Sequence, residues 1–237
     1  MRALILNSGI GKRMGKLTET KNKCMAEIGE DTAIIDWQLR MLKKAGVLDV
    51  VMTTGPFTEH LTEYVTERYP EIRFIFRQNP EYAQTNYIYS IALAADVLDD
   101  DILLMHGDLI FEESVINNIL HAKTSAMVID RTLPLPEKDF KAVVPEQKIT
   151  KVGIEFFEDA YAAQPLYKLL KKDWKLWLAN ILRFCEEGNR GVYAENAMNE
   201  ISGQLDIRPL DIDGRICMEV DNLDDLARAR ELFEKMA

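Results

Sequence analysis

Ala3, Leu4, Ile5 and Leu6 set four apolar side chains in succession near the head of the chain, and the turn Asn7-Ser8-Gly9-Ile10-Gly11 follows at once. Neighbouring side chains of a strand point to opposite faces, so a strand that is apolar at every position must be covered on both. This confines the chain to a central, mostly parallel sheet between layers of helix. The same alternation runs on. Asp31 is placed to cap a helix with Ile35, Leu39 and Leu42 on one face, closed by Gly46. Strand patterns are expected at 50–53, 73–76, 102–105 and 126–130, and helical ones at 58–69, 87–97 and 114–121. The expected class is therefore α/β, a Rossmann-like mixed sheet flanked by helices in one domain over 1–237.

After Thr132 the rhythm breaks. Pro134, Pro136 and Pro145 interrupt the chain, and short, partly antiparallel strands are expected at 141–144, 149–156 and 165–169. This small antiparallel insertion spans 132–210. Within it, Trp174, Trp177, Leu178, Ile181 and Cys185 share one side of an amphipathic helix, the tryptophans as packing residues. Strands near 205–210 and 216–220 and a helix from Leu223 complete the chain.

A formal net charge of -10 excludes a general nucleic-acid binder and makes the basic N-terminal stretch conspicuous. Cys24, Cys185 and Cys217 form no C-x-x-C pair, so neither a zinc site nor a disulfide framework is expected, and a reducing, cytoplasmic home is. No run reaches the ~18 apolar residues of a membrane span. The N-terminal pattern is that of a buried strand rather than a signal peptide. Monomer and homodimer are both compatible with the sequence.

Open parallel sheets bind ligands beyond the carboxyl ends of their strands. Three groups fall there: the Asn7–Arg13 turn, Asp108 after the fourth strand, and Asp221, with Glu219 two residues earlier. A glycine turn exposes backbone N–H groups to a phosphate chain, and Lys12, Arg13 and Lys23 supply cations. Two carboxylates beside phosphates repel them unless a divalent cation intervenes, so Asp108 and Asp221 read as Mg²⁺ ligands at a nucleotide site. Gly9, Gly11 and Gly15 also mimic a dinucleotide fingerprint, but residues 12–24 offer no apolar helical face to pack on a sheet. His106 reads as a structural histidine.

Leu6-Asn7-Ser8-Gly9-Ile10-Gly11-Lys12-Arg13, with Lys23 downstream, resembles the L-A-A-G-x-G-x-R … P-K signature of the sugar-phosphate nucleotidylyltransferase superfamily. Asn7-Ser8 replaces Ala-Ala, and Asn22 replaces the proline. His106-Gly107-Asp108 stands at the family's metal-binding aspartate, and Met218-Glu219-Val220-Asp221 is similar to its E-I-D element. Asn79-Pro80-x-Tyr82-x-x-Thr85-Asn86-x-x-Tyr89-Ser90 leans toward the phosphocholine and aminoalkylphosphonate cytidylyltransferase branch.

The resemblance implies the nucleotide-diphospho-sugar transferase fold and Mg²⁺-dependent transfer of CMP from CTP to a small phosphorylated or phosphonate amine, releasing pyrophosphate. Lys23 and Arg13 are then the catalytic cations. Leu6, Asn7, Ser8, Gly9, Gly11 and Gly107 belong to the nucleotide site, and Asn79, Thr85, Asn86 and Ser90 to its base and ribose pocket. The insertion binds the acceptor, with Tyr193, Glu195 and Glu219. Ala194 stands where a tryptophan would hold a quaternary ammonium, which points instead to a primary ammonium paired by Glu195. Alternatives are a sugar-1-phosphate nucleotidylyltransferase using UTP or dTTP, and a nucleotide-sensing module without turnover.

Overall fold

β1 (Arg2–Asn7) lies at the centre of a nine-stranded sheet and is buried on both faces. Ala3 and Ile5 enter one core; Leu4 and Leu6 enter the other. The computed structural model describes residues 1–236. After β1 the chain makes tight 3-10 turns at Lys12–Thr18 and Lys23–Met25, a small hairpin of β2 (Glu27–Gly29) and β3 (Thr32–Ala33), and then α1 (Ile34–Lys44). Next come β4 (Asp49–Thr54), α2 (Thr58–Arg68), β5 (Arg73–Gln78), α3 (Tyr87–Leu93), β6 (Ile102–His106), β7 (Leu109–Phe111), α4 (Glu113–His121) and β8 (Ser125–Asp130). The insertion holds β9 (Lys141–Val143), β10 (Lys151–Gly153), β11 (Ala160–Leu169), α5 (Lys171–Glu186) and α6 (Ala194–Glu200). β12 (Ile207–Asp211), β13 (Cys217–Glu219) and α7 (Leu223–Met236) end the described chain.

The sheet order is β10-β9-β11-β6-β1-β4-β5, with β8 on the other edge of β11 and β12 beyond β8. β6, β1, β4 and β5 run parallel, and β11 is antiparallel to β6, β8 and β9. One edge of β11 pairs with β9 through Ala160–Ala162 and with β6 through Leu166–Leu169. Pro165, which has no N–H to donate, falls where the partner changes. α1, α2, α4 and α7 cover one face, and α3, α5 and α6 the other. Trp174 and Trp177 are fully buried, and their indole N–H groups donate to Leu98 O and Ala194 O, each at 2.9 Å.

Three local expectations are corrected. Asp31 does not cap α1; it takes φ 47° in the β2–β3 turn, and Asp36 Oδ2 accepts from the Ala33 N–H instead, at 2.9 Å. The α-helix expected to reach residue 97 ends at Leu93, and a 3-10 turn continues it over Ala95–Val97. The strand expected at 149–156 shrinks to Lys151–Gly153, because that stretch sits at the open edge of the sheet. No helix among the described residues is long and apolar enough to cross a membrane.

Candidate active site

A cleft of about 300 Å³ opens over the carboxyl ends of the parallel strands. Its walls come from the glycine turn after β1, from Asn22–Cys24, from the stretch between β5 and α3, and from His106–Asp108 and Asp221. No α-helix begins at the glycine turn, so the dinucleotide arrangement is absent there.

Asp108 and Asp221, remote in sequence, meet because two three-residue strands pair. β13 lies antiparallel to β7, with Glu219 opposite Leu109, and the Val220 N–H donates to Asp108 O at 2.9 Å. Lys23 Nζ sits between the two carboxylates, in ion pairs with Asp108 and, at 2.7 Å, with Asp221 Oδ1. Arg13 reaches the same Asp221 oxygen at 2.9 Å from a side chain that is 66% exposed. The cluster is thus two anions and two cations. Burial disfavours the Lys23 ammonium, but Asp108 and Asp221 outweigh it and hold its pKa above the ordinary value. Burial likewise opposes ionisation of Asp221, and Lys23 and then Arg13 overcome it, so its pKa lies below the usual carboxylate range.

Two glycines make this closeness possible. Gly11 takes φ 70°, and a Cβ there would stand 3.1 Å from both Lys23 Cβ and Thr18 Cγ2. At Gly107 any Cβ would overlap the Asn7 amide. Ser8 is fixed from below, its hydroxyl donating to Thr53 Oγ1 at 2.9 Å.

The opposite wall is an internally bonded loop. Asn79, buried, donates through Nδ2 to Thr85 Oγ1 at 3.0 Å and to Ser90 Oγ at 2.9 Å, and accepts from the Glu81 N–H. The Thr85 hydroxyl donates to Glu81 O at 2.8 Å, and Asn86 caps α3 through Oδ1. Asn79, Thr85, Asn86 and Ser90 all line the cleft, but each spends a polar atom on holding the loop or capping α3.

The acceptor residues named from the sequence lie behind His106. His106 Nδ1 is 2.9 Å from Glu219 Oε1, and its ring packs edge-on to Tyr87 at 4.8 Å between centroids. Burial opposes the charged imidazole, yet Glu219 holds the His106 pKa above its ordinary value. Tyr193 extends the aromatic row, 5.8 Å from Tyr87 and 5.1 Å from Phe140. Glu195 departs from expectation. It is 1% exposed, and its two oxygens accept from the phenols of Tyr87 and Tyr167, the latter at 2.9 Å. Burial and then Glu195 push both tyrosine pKa values well up. A carboxylate so committed is not free to meet an ammonium.

The structure therefore brings Leu6, Asn7, Ser8, Gly9, Gly11, Arg13, Lys23, Gly107, Asp108 and Asp221 to one cleft, with the Asn79–Ser90 wall facing them. Glu219 and Tyr193 stand next to it through His106 and Tyr87; Glu195 is beneath. The sequence pattern assigned no role to Asn22 or Tyr82, left Tyr87 open between packing and substrate contact, and made His106 structural, although all four line the cleft. The signal for Asn22 was available, as a polar residue beside Lys23 where the related signature has proline.

Compared with known proteins, residues 3–193 match the family described as MobA-like NTP transferase domain. The chain belongs to that family. It is a nucleotidyltransferase, built on the mixed sheet that this family shares. It is 26% identical to the CTP:phosphoglutamine cytidylyltransferase of Campylobacter jejuni, over 95% of this chain and 98% of the relative. It is also 26% identical to the 2-aminoethylphosphonate cytidylyltransferase of Lancefieldella rimae, over 95% and 90%. The solved structure of the CTP:phosphocholine cytidylyltransferase from Streptococcus pneumoniae superposes with a TM-score of 0.78 at 20% identity, covering 98% of each chain.

Proposed function

We propose that the chain transfers CMP from CTP to a small phosphorylated or phosphonate amine and releases pyrophosphate. The observation that carries this reading is the Lys23 ammonium held between Asp108 and Asp221 at the mouth of the glycine turn. Relatives that match along nearly the whole chain are named cytidylyltransferases, acting on phosphoglutamine and on 2-aminoethylphosphonate, which supports both the nucleotide and the kind of acceptor.

The residues fit a hard divalent cation. Asp108 and Asp221 offer oxygen donors only, and Asp108 Oδ1 is buried with no hydrogen-bond partner. Mg²⁺ held by these two would neutralise charge on the α-phosphoryl group when bound. The remaining work falls to the chain. An acceptor phosphate or phosphonate oxygen is anionic near neutral pH, so no general base is needed, and the task is to bring two anions together. Backbone N–H groups from Ser8 to Gly11 receive the triphosphate. Lys23 moves from the carboxylates to the α-phosphate and the attacking oxygen, and Arg13, already at the cleft mouth, follows the charge onto the leaving pyrophosphate. The Asn79–Ser90 wall encloses the base and ribose. Glu219, its Oε1 on His106, is the carboxylate left to face an acceptor ammonium beside the Tyr87–Tyr193 row.

The test is pyrophosphate release with Mg²⁺, each of CTP, UTP, dTTP and ATP, and a panel of phosphorylated amines, aminoalkylphosphonates and sugar 1-phosphates. Release with CTP and an amine acceptor is expected. Release only with UTP or dTTP and a sugar phosphate would replace this reading by the sugar one, and triphosphate binding without release from any pair would leave a nucleotide sensor.

A further inference from the structure

Asn22 carries a polar group with no part in the steps above. It is 3% exposed and lines the cleft beside Lys23. Its amide nitrogen donates to Pro56 O at 2.8 Å, which fixes the orientation, since a flipped amide would set oxygen against oxygen. Asn22 Oδ1 is thereby turned from Pro56, buried, and without a hydrogen-bond partner. A buried acceptor is ordinarily paired, so an unpaired one on a residue of the cleft wall leaves a place for a donor that the ligand brings.

The strand order says which part of a ligand that is. Across the sheet run β6, β1, β4 and β5. Asp108 follows β6, at one end of the row; Pro56 follows β4, and Asn79 follows β5, at the other. The Asn7 amide leans to the Asp108 side, against Gly107. Asn22 is tied to the Pro56 side by its bond to Pro56 O, and it shares the cleft with the Asn79–Ser90 wall. A nucleotide whose phosphates meet Lys23, Asp108 and Asp221 has its nucleoside on that half of the cleft.

We infer that Asn22 Oδ1 accepts a hydrogen bond from the exocyclic amino group of cytosine and sets the preference for CTP over UTP. The inference rests on the reading of the cleft as a triphosphate site. Uracil has a carbonyl where cytosine has the amino group, so it presents one acceptor to another. Asn22 cannot turn to serve uracil without losing its bond to Pro56 O. Discrimination by a buried polar partner is the strong kind, because the wrong ligand leaves that partner unpaired.

The experiment is calorimetric titration of the full chain with CTP, UTP and the pyrimidin-2-one ribonucleoside triphosphate, which lacks the 4-amino group, in the presence of Mg²⁺. Wild type, Asn22→Ala and Asn22→Pro are compared, with thermal melting as the fold check. Wild type is expected to bind CTP about ten- to a hundred-fold tighter than either other ligand. Both variants are expected to bind all three alike, through loss of CTP affinity with UTP affinity held within about twofold. An undiminished CTP preference in a folded variant overturns the inference. Equal losses for CTP and UTP also overturn it, assigning Asn22 to the ribose or phosphates. The pyrimidinone comparison needs wild type alone, so it decides even if both variants unfold: equal affinity for CTP and the analogue refutes the role. If wild type binds no triphosphate, the reading beneath the inference has failed instead.

Discussion

Replacing Lys23 with methionine removes the ammonium while keeping most of the side-chain volume. Lys23, Asp108 and Asp221 are each only 15–17% exposed, so solvent compensates little for the missing cation. The cluster then falls from neutral to one net negative charge, and Arg13, mostly in solvent, is the cation left. A unit charge about 4 Å away at an effective dielectric near 20 is worth about 4 kcal/mol. Screening at the cleft mouth and relaxation of Arg13 bring that down to about 1.4–2 kcal/mol, roughly ten- to thirty-fold in an affinity. Lys23→Met should therefore bind Mn²⁺, used as a Mg²⁺ probe, about ten- to thirty-fold more tightly than wild type when no nucleotide is present. The assay is paramagnetic titration of free Mn²⁺. The same variant should lose about 10²–10³ in turnover, as expected when a charge-stabilising donor is removed. Equal Mn²⁺ affinities in a folded variant would show that Lys23 does not occupy the cation's place, and near-normal turnover would remove it from the chemistry.

Asp108→Asn should raise sharply the Mg²⁺ concentration needed for half-maximal rate, and an unchanged titration would exclude Asp108 as a ligand. Gly107→Ala drives a methyl into the Asn7 amide and should cost about 1–3 kcal/mol in denaturant unfolding; the Asn7→Ala, Gly107→Ala pair should recover most of that, and no recovery would place the conflict elsewhere. Burial, then Asp36, pushes the Tyr69 phenol up to about 12. A raised pKa contributes stability that is complete below the unfolded value near 10 and is lost as pH rises through 12. Melting temperature should fall between about pH 10 and 12 and fall less steeply in Tyr69→Phe, and identical profiles would count against this role. Glu195→Ala should lower the melting temperature, because the Tyr87 and Tyr167 phenols lose their acceptor, while the KM for CTP stays within about twofold; an unchanged melt would contradict its buried position.

The central sheet could be read from periodicity because burial on both faces leaves unbroken apolar runs. Ala3–Leu6 is the example, with alternate residues in two separate cores. The glycine turn and the acidic residues at strand ends followed from the same frame. What could not be read was pairing at a distance. β7 is three residues long, too short for periodicity to mark it as a strand, yet its ladder with β13 is what sets Asp221 beside Asp108. Asp31 looked like a helix cap because residue type and position suited it, whereas Asp36, inside α1, does the work from a site shared with Tyr64 and Tyr69. Glu195 looked available to an ammonium because nothing local shows that two phenols from other elements close over it.

The central claim is that one metal–triphosphate complex takes the place Lys23 now fills between Asp108 and Asp221. Anomalous diffraction from crystals soaked with Mn²⁺ and CTP tests it directly. A metal peak within ligand distance of both carboxylates is expected, with Lys23 Nζ moved onto the phosphates. A peak away from these residues, or Lys23 still bridging the two carboxylates with the nucleotide bound, would contradict it.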